Sequence, residues 1–92
     1  MLELSAVQKD ALKKRIRRVC CAMARKMGMT AAFTATGIRV AQGPVAYVFD
    51  LKWNHLSNMW DLYHGDTWLA GRNQSYPNAI AYVVNHGAPN GN

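Results

Sequence analysis

Acidic residues are scarce in this chain. Five Asp and Glu stand against eleven Lys and Arg over 92 residues, a formal net charge of +6, which points toward a polyanionic or acidic partner. Cysteine is scarcer still, with only Cys20 and Cys21. Adjacent helical positions lie about 100° apart, so the two thiols are badly placed for an intrachain bridge, and free thiols fit a reducing compartment. His55, His64 and His86 add no metal spacing, there being no C-x-x-C and no H-x-x-x-H, and neither a metal nor any other cofactor is expected. No stretch approaches the ~18 apolar residues that span a bilayer, and the segment Met1 to Gln8 lacks the apolar core of a signal peptide. The expected location is the cytoplasm. A phosphate loop, paired carboxylates and a nucleophile motif are missing too. His64 and Asp66 flank a glycine, but a polar turn explains them more simply than acid–base chemistry does. No enzyme is expected.

What is present is a folding composition: half of the residues are hydrophobic and nine are aromatic. The length suits one domain, residues 1–92, with 88–92 as a loose tail. Ser5 and Gln8 form the pattern of a capping box, so a helix is predicted to begin near Ala6, and Gly28 can close it. Leu12, Ile16, Val19, Cys20, Met23 and Met27 recur at three- and four-residue steps and form its buried stripe. Cys21 is expected to point away, among the basic residues.

After Met29 the pattern changes to period two. Thr30 to Thr36 and Ile38 to Val40 read as strand with a break at Gly37, Gln42-Gly43-Pro44 as a turn, and Val45, Tyr47, Phe49 and Leu51 as the apolar side of a long strand. Met59 to His64 and Thr67 to Gly71 form a further hairpin, with Tyr63 and Trp68 as a cross-strand pair. Ser75 caps a short second helix with Pro77 in its first turn, Tyr76, Ile80, Val83 and Val84 inward, and Gly87 at its end. The expected class is α+β: a long N-terminal helix, a three- to four-stranded antiparallel sheet and a short C-terminal helix, both helices on one sheet face.

The charge is concentrated on the first helix. Eight of the eleven basic residues fall between Lys9 and Lys26, opposed in residues 1–28 only by Glu3 and Asp10, while residues 29–92 are balanced. A solvated helix face normally mixes signs, and like charges three and four apart repel, so a partner is expected to compensate. The candidate partner-binding residues are Lys13, Lys14, Arg17, Arg18 and Arg25 on this helix, together with Arg39 and with Trp53, which is read as leaving its strand for the polar loop Asn54-His55. Asp10 can pair with Lys13 or Lys14.

A double-stranded RNA-binding domain also runs helix, strands, helix, but it needs cations at the start of its last helix, where this chain has Ser75-Tyr76-Pro77-Asn78. No strand carries the aromatic signature of an RNA recognition motif. In size, in its single α/β domain and in lacking a catalytic motif, the chain resembles small phage-encoded anti-CRISPR proteins. The resemblance implies a stoichiometric inhibitor that docks on an RNA-guided ribonucleoprotein effector complex in the host cytoplasm and blocks target DNA binding. Many such proteins are acidic DNA mimics, whereas the exposed helix here is positive, so its counterpart would be guide-RNA backbone, an acidic protein surface, or both. A small regulator acting on free RNA or DNA is the alternative.

Overall fold

A computed structural model describes residues 2–86. The expected end of the second helix at Gly87 and the tail 88–92 lie outside the described residues. Helix α1 (Ala6–Lys26) is followed by strands β1 (Thr30–Phe33), β2 (Gly37–Gln42), β3 (Val45–Asn54), β4 (Met59–His64) and β5 (Thr67–Ala70), then helix α2 (Tyr76–His86). The strands form one antiparallel meander in the order β1-β2-β3-β4-β5. The α+β layout agrees with the sequence reading. The described residues form five strands, and the break expected at Gly37 falls earlier, at a turn through Thr34 to Thr36, so that Gly37 opens β2.

Local chemistry sets the ends of α1. The Ser5 hydroxyl accepts from the backbone N–H of Gln8 at 3.2 Å, and the Gln8 side chain accepts from the Ser5 N–H at 2.9 Å, so the capping box is complete. At the other end Gly28 takes φ +83°, the left-handed conformation that glycine adopts without cost. The Gly28 N–H donates to the Arg25 carbonyl and the Met29 N–H to the Ala24 carbonyl, which is the Schellman arrangement. It turns the chain so that β1 runs back beside the helix that precedes it.

Both helices bury their apolar sides against the same sheet face. Ile16, Cys20, Cys21 and Ala24 of α1 and Tyr76, Ile80 and Val83 of α2 meet Ile38, Val40, Phe49, Leu51, Leu62 and Ala70 of the sheet in one core. Burial of these side chains, at about 25 cal/mol per Å² of apolar surface, is the main force holding the layers together. The opposite sheet face presents Arg39, Val48, Lys52 and Trp68. The expected Tyr63 and Trp68 pair is a direct cross-strand pair in the β4–β5 register. The loop from β3 to β4 folds about Asn54, whose side-chain carbonyl accepts from the N–H groups of Leu56 and Ser57.

Four expectations about side-chain placement are corrected. Cys21 is 1% exposed, not solvent-facing, because β1 returns along that flank of α1 and shuts it in. Val19 is 49% exposed rather than core, since it lies on the flank of α1 turned away from β1. Trp53 does not leave its strand: β3 continues to Asn54, and the indole packs edge-on against Trp60, its partner in register. Arg17 does not face solvent freely but is half-buried beside β1. Among the described residues no helix is long and apolar enough to cross a membrane.

Candidate functional site

The eight cations of α1 divide into two groups by helical geometry. Lys9, Lys13 and Arg17 follow one another at four-residue steps, which on a helix of 3.6 residues per turn form a single slowly winding ridge. All three are half-buried, and each holds its charge over an aromatic ring of the sheet. The Lys9 ammonium lies 4.8 Å from the Trp53 ring, the Lys13 ammonium 5.1 Å from Trp60, and the Arg17 guanidinium carbon 4.4 Å from Phe33. Cation–π attraction of this kind contributes roughly 0.5–1 kcal/mol at exposed sites and more when water is excluded.

Winding on by further four-residue steps, this row passes the buried Cys21 and comes out at Arg25 on the exposed side of α1. Arg17 donates from Nη1 to the Thr34 carbonyl and Arg25 from Nη2 to the Ala31 carbonyl, both at 3.0 Å. Two arginines, one turn before and one turn after Cys21, thus fasten the edge strand β1 and the turn beyond it to the helix. The Cys21 thiol is pushed up by burial, which outweighs the lowering by Arg25 and Arg17. Burial takes Cys20 up to about 12, with Cys21 adding to the effect. Neither thiol has the depressed pKa of a reactive cysteine.

The second group faces water. Lys14, Arg15, Arg18 and Lys26 are exposed on the outer side of α1, and Arg25 is exposed despite its bond to Ala31. Asp10 pairs with Lys14 at 3.3 Å, the more C-terminal of its two expected partners. Glu3 is engaged by Lys9 at 2.6 Å, which holds its carboxyl below the ordinary range. Arg15, Arg18 and Lys26 have no hydrogen-bond or ion-pair partner among the described residues. From Lys14 to Lys26 this outer ridge extends about 18 Å at the rise of an α-helix.

The residues singled out in the sequence therefore do not form one surface. Lys14, Arg18 and Arg25 lie on the outer ridge, Lys13 and Arg17 lean onto the sheet, Trp53 lies beneath Lys9, and Arg39 lies on the far sheet face. Arg15 and Lys26 belong to the ridge and were absent from the predicted set. Their helical angle, measured from the buried stripe, was the signal that could have found them.

His64 and Asp66 have different surroundings. The His64 ring lies 5.3 Å from Phe49 and 6.1 Å from Tyr47, whereas Asp66 is exposed in the turn, and no bond links them among the described residues. His86 stacks on Tyr82, and no group of three His, Cys, Asp or Glu converges as a metal site among the described residues.

Beside the outer ridge lies an open groove of about 310 Å³ between α1, the start of β4 and the first turn of α2. Leu12, Ile16, Val19, Met59, Tyr76 and Pro77 form its apolar lining and Arg15 its charged side. No protein-family model matches the chain, and neither a curated protein nor a solved structure matches it.

Proposed function

We propose that this is a non-catalytic binding protein whose outer α1 ridge docks on an anionic surface of a ribonucleoprotein. The observation that supports the reading is the division of the cations: three lie over aromatic rings of the sheet, while Lys14, Arg15, Arg18, Arg25 and Lys26 stay exposed and, among the described residues, only Asp10 opposes them. Uncompensated like charges on one helix cost stability, and a polyanion would offset that cost by releasing its condensed counterions. Arginines on the ridge can bind phosphate or carboxylate through two parallel hydrogen bonds. The partner class implied by the resemblance to anti-CRISPR proteins is an RNA-guided effector complex, obstructed by a small protein seated across its nucleic-acid channel.

Affinity capture with the tagged protein, followed by mass spectrometry and RNA sequencing, identifies the bound complex. Paired Lys14→Glu and Arg18→Glu substitutions should abolish capture while the circular dichroism spectrum stays unchanged, since both side chains are exposed. Binding to oligouridine, followed by fluorescence anisotropy, should weaken with salt at a log–log slope of roughly −3 if four phosphates are engaged on a single strand. Capture that survives the double charge reversal rules out this ridge. Tight salt-dependent binding to oligouridine with no captured complex would favour the free nucleic-acid regulator instead.

A further inference from the structure

The groove beside the ridge makes a specific demand on what docks there. Val19 is 49% exposed in the middle of α1, while Ile16 and Tyr76 behind it are 7% exposed, so an accessible apolar wall adjoins a closed core. Tyr76 cannot turn out to offer a stacking surface, because its hydroxyl donates to the Trp60 carbonyl at 2.7 Å and its ring is buried. A nucleic-acid strand brings phosphates, sugars and flat bases, and bases bind by stacking on exposed rings. The groove has none to offer.

An apolar side chain carried on a peptide segment with flanking carboxylates matches it better. Arg15 stands at the groove itself, Arg18 follows one turn further along α1, and among the described residues no Asp or Glu lines the cavity. An apolar lining with cations on one side and no acid among the described lining residues is the complement of an amphipathic segment with a leucine-like anchor flanked by carboxylates.

We infer that the groove between α1 and the first turn of α2 is an anchor site for an aliphatic side chain of an acidic helical segment in the partner's protein component. The inference rests on the reading of the ridge as the docking surface and adds to it the chemistry of the contact. Phosphate contacts along the ridge give affinity with little selectivity, and the groove would supply the selectivity.

The test uses the full chain and three probes. One is a short helical peptide of glutamates and alanines around a single leucine, the second is the same peptide with alanine in place of leucine, and the third is oligouridine. Binding is followed by NMR through the methyl signals of Val19 and Met59. The leucine peptide should shift both signals and bind about ten-fold more tightly than its alanine twin, as expected for partial burial of one aliphatic side chain. Val19→Gln, a neutral change at a half-exposed position, should erase that difference and leave oligouridine binding unchanged.

Equal binding of the twin peptides, or no movement of the two methyl signals, overturns the anchor site. Oligouridine binding that persists in that case keeps the ridge reading intact. Methyl shifts on adding oligouridine, with none from the peptide, would assign the groove to nucleic acid and overturn the proposal. If neither peptide nor oligouridine binds, both readings fail.

Discussion

Arg17 lies with its guanidinium carbon 4.4 Å from the centroid of the Phe33 ring and donates to the Thr34 carbonyl just beyond it. One side chain therefore covers the exposed ring at the end of the edge strand and satisfies a backbone acceptor. Its Nε is shut off from solvent without an acceptor among the described residues, so the guanidinium is held through Nη1 and by the ring. Arg18, the next residue, is exposed and makes no such contacts among the described residues. Two neighbouring arginines of identical chemistry have been given different tasks by a rotation of 100° about the helix.

That difference is measurable as stability. Arg17→Ala should cost about 2 kcal/mol, combining the loss of a charged hydrogen bond to a carbonyl with the loss of the ring contact. Arg18→Ala should remain within about 0.5 kcal/mol of the parent, as exposed substitutions usually do. Urea denaturation followed by circular dichroism distinguishes them. Equal effects would show that Arg17 is not a fastening for β1.

The broad architecture was legible in the sequence because its signals are local. The Ser5 and Gln8 box, Gly28, the alternation from Val45 to Leu51 and the Ser75 cap each act within a few residues, and each does in the structure what its spacing suggests. The partition of the cations was not legible to the same degree. It depends on where Trp53, Trp60 and Phe33 lie beneath the helix, which is fixed by sheet register and not by the sequence of α1. For the same reason Cys21 was misplaced: a helical wheel gives its angle, but only the return of β1 along that flank shows that the angle is buried.

Burial of the thiols predicts their reactivity. With Cys20 and Cys21 each 1% exposed and burial raising both pKa values, neither should react with iodoacetamide at pH 8 under native conditions, and both should react once the chain is unfolded. Mass spectrometry after timed quenching checks this. Rapid native labelling of either thiol would mean that α1 and β1 separate readily.

The same groups set an alkaline limit on stability. Cys20 is pushed up to about 12 by burial and Tyr76 to about 12 by burial with Asp61 and Cys20 adding, whereas in the unfolded chain a thiol ionises near about 8.5 and a phenol near about 10. Folded values above unfolded ones give stability that is complete below the unfolded pKa and is lost as pH rises toward the folded one. Stability should therefore hold up to about pH 8 and then fall, with a slope of about 1.4 kcal/mol per pH unit for each group ionised only when unfolded. Cys20→Ala should flatten the first part of that decline. Urea midpoints at successive pH values test it, and an unchanged slope in the variant would contradict the assignment to Cys20.

Gly28 and Gly37 are both required, but for different physical reasons, and alanine separates them. A Cβ on Gly28 meets nothing within 4 Å among the described residues, so the penalty is its φ of +83°, worth about 1 kcal/mol for an L-residue in the left-handed region. Asparagine, which tolerates that region, should recover part of it. A Cβ on Gly37 would overlap the carbonyl oxygen of Phe49 on β3. That oxygen belongs to the backbone of a central strand whose side chain is fully buried, so no rotamer change relieves the overlap and the β2–β3 ladder itself must part. Gly37→Ala should cost about 3 kcal/mol, the upper end for overpacking, and Gly37→Asn should be no better than alanine. Denaturation midpoints of the four variants check the contrast: rescue by asparagine is expected at Gly28 only, and rescue at Gly37 would show that its role is conformational and not steric.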